Sequence, residues 1–152
     1  MEHKVKVMDP DQLIPQLLDF LEDTPSVPLV ISGNSMSPFL QHGRDTVYLS
    51  KFTQDPQRGD MVLYRMDNGT YILHRIYEIT DATYTLIGDG QVSLEPGIRR
   101  DQLLAIVKAV RRNGQLLEPG NLCWEFYEKI WLRLLPLRPR IRGICARIRK
   151  FL

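Results

Sequence analysis

Apolar positions along the chain change period several times, and each change marks an element. In DPDQLIPQLLDFLE, residues 9–22, Leu13, Leu17, Leu18 and Leu21 recur at helical spacing. This predicts an amphipathic helix capped by Asp9 or Asp11, with Pro15 in its first turn, where a missing N–H costs little. Val27 to Ser32 reads as a short apolar strand. Gly33-Asn34 then turns the chain, and Ser35 is predicted to open a short helical turn through Leu40.

The middle alternates with period two. Thr46–Leu49 is β-rich. Met61–Met66 and Thr70–Ile79 flank Asp67-Asn68-Gly69, a strong hairpin signal. Tyr84–Ile87 is a further strand, ending at Gly88-Asp89-Gly90. Leu103–Arg112 and Gln115–Leu117 flank Asn113-Gly114, a second hairpin. Periodicity alone would allow a helix over Leu103–Ala109, but its β-branched residues favour a strand. Asn121–Leu135 is predicted helical and carries Trp124, Phe126, Tyr127 and Trp131. Pro136 and Pro139 break it. Ile141–Leu152 resumes as a basic amphipathic helix with Ile141, Ile144, Cys145 and Ile148 on one stripe.

Composition narrows the class. The 152 residues are 43% hydrophobic and 25% charged, which suits one soluble globular body and excludes a disordered or collagen-like chain. Two cysteines, Cys123 and Cys145, cannot supply a zinc site or a disulfide scaffold. No apolar run reaches the roughly 18–20 residues of a membrane span. Met1–Asp9 is charged, without the apolar centre of a signal peptide. A cytoplasmic protein is expected, peripheral on the inner face of the membrane if its tail binds there. The net charge of +2 conceals an asymmetry: eight basic residues and no acid lie from Lys129 to the end, leaving residues 1–128 at −6. Such a tail suits an anionic surface. An anionic membrane reached through residues 136–152 is the partner expected; nucleic acid is not. Trp124 and Trp131 read as interfacial anchors. The alternative is that the stripe packs on the β-body and the arginines are a solvated face.

Three places carry candidate chemistry. In Gly33-Asn34-Ser35-Met36-Ser37-Pro38, a serine at the start of a helical turn exposes its hydroxyl while nearby N–H groups face a developing oxyanion. The plainer reading of Ser35 is a cap. In Leu73-His74-Arg75, strand alternation puts Ile72, His74, Ile76 and Glu78 on one face. His74 is either a satisfied half-buried side chain or a general base. In Gly88-Asp89-Gly90, with Glu95 nearby, Asp89 either makes a turn or orients an imidazole. His3 and His42 receive no role, and no metal or other cofactor is called for.

The order of these pieces, with Arg58-Gly59-Asp60-Met61-Val62 between the first two, resembles the signal peptidase I and LexA-like superfamily of serine peptidases over about residues 26–112. The resemblance implies a mainly β catalytic domain of coiled sheets, with Ser35 as nucleophile. His74 stands in the base position, as in the endoplasmic-reticulum-type branch, whereas Lys51 and Lys108 do not. The membrane helix usual before the serine box has no counterpart here. The third triad member is Asp89, with Glu95 as the alternative acid. The backbone N–H groups of Ser35 and Met36 are the oxyanion donors expected on this resemblance. Ser32 is a further candidate, since Gly33 occupies the position of the family's donor serine. The implied organisation is a peptidase domain over residues 1–120, with the helix at 9–22 and a β-rich core at 26–118, followed by a helical basic tail over 121–152. The implied function is a serine endopeptidase of signal-peptidase type, acting on leader or signal segments bound as an extended strand. The alternatives are a LexA-like self-cleaving or regulatory module and a non-catalytic membrane or anion-binding adaptor.

Overall fold

The computed structural model describes residues 9–151; the Met1–Met8 stretch, His3 and Leu152 lie outside the described residues. The elements run α1 (Pro10–Asp23), β1 (Val27–Val30), β2 (Thr46–Ser50), β3 (Met61–Arg65), β4 (Tyr71–Ile79), β5 (Tyr84–Ile87), β6 (Glu95–Ile98), β7 (Leu103–Arg112), β8 (Gln115–Leu117), α2 (Leu122–Glu125) and α3 (Arg138–Phe151). A π-helical turn, Phe126–Trp131, continues α2. The eight strands form one antiparallel sheet in the order β1-β2-β7-β3-β4-β5-β6, with β8 on β7. The protein is therefore mainly β, as expected.

Strand β3 is covered on both faces. Met61 and Leu63 enter one core with Val47, Val107 and Ile14, while Val62 and Tyr64 enter a second with Ile76, Leu86 and Ile106. Alternation sends neighbouring side chains to opposite faces, so a strand apolar at both parities is covered on both. The segment after β1 meets the segment after β5, where the Gly90 N–H donates to the Ser35 carbonyl at 2.8 Å.

Several boundaries differ from expectation. Asp9 caps α1 by accepting from the Asp11 N–H. Pro15 consequently falls beyond the first turn, and Ile14 joins Leu21 as the buried contact. Residues 35–40 form successive turns, closed by Ser37 N–H to Asn34 O and, with the i→i+4 spacing of a single helical turn, by Leu40 N–H to Met36 O. The Ser37–Pro38 peptide is cis. Strand β6 was not expected. Its Pro96 and Gly97 argue against a central strand, but β6 pairs only with β5 at the sheet edge, where proline is tolerated. Trp124 and Trp131 are buried, so neither is an interfacial anchor. Trp124 meets Phe39 edge-on, and Trp131 donates its indole N–H to the Asp89 carbonyl at 2.8 Å. The stretch 121–138 therefore packs into the β-body instead of trailing from it.

Candidate active site

Ser35, His74 and Glu95 lie on three separate segments and line one cleft of about 280 Å³, together with Ser32, Gly33, Met36 and Gln91. Ile31, Tyr71, Ile72 and Leu73 complete its walls.

The serine is held from two sides. The Gly33 N–H donates to His42 Nδ1 at 2.9 Å, a tether not anticipated for His42. On the other side the Gly88-Asp89-Gly90 loop packs directly on the turn. A Cβ on Gly88 would lie 2.3 Å from the Ser35 carbonyl oxygen, and one on Gly90 would lie 2.6 Å from that of Ser37. Only glycine permits this approach. Among the described residues, no hydrogen bond engages the N–H of Ser35 or of Met36.

His74 is 2% exposed, on the β4 face shared with Ile76. Its Nδ1 lies 3.1 Å from the Tyr64 hydroxyl and 3.3 Å from Glu95 Oε2. The Tyr64 hydroxyl donates to that same Glu95 oxygen. Tyr64 is fully buried and went unremarked in the sequence. The signal was present: a hairpin closed at Asp67-Asn68-Gly69 pairs Tyr64 with Ile72 and so sets its side chain on the His74 face. Burial pushes the His74 pKa below its ordinary value, against the opposing pull of Glu95 and, more weakly, Asp89. Burial also raises the Tyr64 pKa, and the neighbouring Glu95 raises it further, so Tyr64 keeps its proton. With its O–H donating to Glu95, the Tyr64 oxygen is placed to accept from Nδ1–H, and the tautomer with that proton leaves Nε2 as the ring's lone pair.

Asp89 stands elsewhere. Both its oxygens are held by Arg75, with Nε to Oδ1 at 3.0 Å and Nη2 to Oδ2 at 2.9 Å. Arg75 also donates to the Gly59 carbonyl at 2.8 Å, and pair and partner are sealed from solvent. A guanidinium buried in a sheet requires such a partner. Of the two acids expected beside His74, Asp89 and the alternative Glu95, the one in contact with Nδ1 is Glu95. Among the described residues, no three His, Cys, Asp or Glu side chains converge as a metal site. No helix among them is long and apolar enough to cross a membrane.

No protein-family model matches the chain, and no curated protein matches it either.

Proposed function

We propose that the protein is a serine endopeptidase of the signal-peptidase type, with Ser35 as nucleophile, His74 as base and Glu95 as the acid that orients it. The observation that carries this reading is the convergence of Ser35, His74 and Glu95 in one cleft, with Glu95 against His74 Nδ1. The resemblance of the Gly33–Pro38, Arg58–Val62, His74-Arg75 and Gly88-Asp89 pieces to that superfamily supports it.

The chemistry follows from the groups present. Ser35 Oγ attacks a peptide carbonyl carbon as its proton passes to His74 Nε2. The oxyanion is met by the N–H groups of Ser35 and Met36. The C–N bond breaks and the amine leaves with the proton from Nε2. Water, deprotonated by the same nitrogen, then releases the acyl group. Tyr64 and Glu95 hold the ring and stabilise the imidazolium as it forms. Substrate enters as an extended strand along the cleft wall formed by Ile31 and Tyr71–Leu73, using main-chain hydrogen bonds.

The test is a mixed peptide library incubated with the wild type, Ser35→Ala and His74→Ala. New termini should appear with the wild type only, the variants losing on the order of 10⁴-fold in kcat. Cleavage by folded Ser35→Ala at the wild-type rate would exclude the mechanism.

A further inference from the structure

The basic end of the chain divides into two parts. Arg138 is buried and donates to the carbonyls of Gly88, Gln91 and Trp131. Arg142 reaches the Gly90 carbonyl at 2.6 Å. From residue 143 to 151 every position is exposed, including Ile144 at 56%, Ile148 at 52% and Phe151 at 91%.

At about 100° per residue, Ile141, Ile144, Cys145, Ile148 and Phe151 fall in one apolar stripe. Arg140 and Arg147 lie along one flank, Arg142 and Arg149 along the other, and Lys150 lies opposite. A helical segment this short, without tertiary contacts, is marginal in water. What covers it must be apolar in the middle and anionic on both sides. A second copy pairing through the same face would bring like charge, since no acid lies between Lys129 and Leu152. A nucleic acid would satisfy the arginines but leave the stripe bare.

We propose that α3 lies in the interface of an anionic lipid bilayer, its isoleucines and Phe151 among the acyl chains and its arginines reaching up to the headgroups. Arg138 and Arg142 tie this helix to the loop 88–91, whose Gln91 lines the cleft. Docking therefore holds the cleft within about one helix length, roughly 20 Å, of the lipid surface. On the peptidase reading above, the substrates are segments presented at an anionic leaflet; the lipid binding itself does not depend on that reading.

Co-sedimentation of the full chain with vesicles tests this. The protein should pellet with phosphatidylglycerol–phosphatidylcholine vesicles at low salt, stay in solution with phosphatidylcholine alone, and be released as salt is raised. Ile144→Glu/Ile148→Glu should abolish binding. Arg140→Gln/Arg147→Gln should weaken it on the order of 30-fold. All four positions are exposed, so the melting temperature should not move. Failure to pellet with anionic vesicles, or undiminished binding by the isoleucine variant, overturns the proposal. A dimer abolished by the isoleucine variant, without vesicle binding, would assign the stripe to a second copy. Cleavage of a soluble peptide reads the other claim separately: its absence in the wild type counts against the peptidase alone, and both tail variants should cut it at the wild-type kcat.

Discussion

Glu95 and Asp89 both act electrostatically on His74, yet only one touches it. On the proposed reading, the difference separates catalysis from stability. Glu95→Gln keeps the shape of a half-buried side chain but removes the charge that favours imidazolium. It should lower kcat by about 10²- to 10⁴-fold, the upper figure being the loss when a triad acid becomes its amide, with little change in melting temperature. Asp89→Asn leaves Arg75 buried against a neutral group. That should cost about 3–5 kcal/mol and lower the melting temperature on the order of 10 °C. Paired melting and kinetic measurements decide between the roles; a stable Asp89→Asn lacking activity, beside an active Glu95→Gln, would restore Asp89 as the acid.

The pH profile belongs to the same scale. A base must be neutral to accept the serine proton, so activity rises as His74 deprotonates. Because burial lowers the His74 pKa, the acid limb of kcat/KM should have its midpoint below about 6.5. In Glu95→Gln an influence that raises that pKa is gone, so the limb should move to still lower pH while the plateau falls. A midpoint above about 7 in the wild type, or an upward shift in the variant, would contradict the assignment.

At the scale of elements, the loop 88–90 connects β5 to the serine turn through two backbone approaches that side chains would block. Gly88→Ala must displace the Ser35 carbonyl, and a misplacement of about 1 Å at a reacting group can cost about 10²-fold in rate. That loss is the expected kinetic result. Gly143→Ala, in open space on α3, should leave kcat unchanged. Equal rates for both variants would show that the loop does not set the serine. The legibility of the elements follows local pattern. Strands β5, β7 and β8 matched their expected bounds because period-two runs end at Gly-Asp-Gly and Asn-Gly turns. The serine turn closes on local hydrogen bonds, but the tertiary contacts from His42 and loop 88–90 that also hold it are not visible in a local pattern. Strand β6 was hidden by Pro96 and Gly97, and with it the position of Glu95.

For the whole molecule, the sequence marks candidate residues more clearly than it marks which of them meet. Ser35 and His74 stood out by type and order. Asp89 was favoured over Glu95 because it sits in the tighter motif. What escaped was the need to neutralise Arg75, a charge placed on a strand buried on both faces. That need fixes Asp89 and leaves Glu95 to the histidine. The cleft joins segments around residues 31–36, 71–74 and 91–95, which meet through pairings distant in sequence.

The central claim is that Ser35 is a nucleophile activated by His74, and covalent capture reads it most directly. The full chain is treated with a peptidyl phosphonate ester, and the adduct is located by mass spectrometry. One phosphonyl group should form on Ser35, increase in rate with pH along the same acid limb as activity, and be absent from Ser35→Ala and from folded His74→Gln. An adduct on any other residue, or undiminished labelling of Ser35 in His74→Gln, would contradict the account.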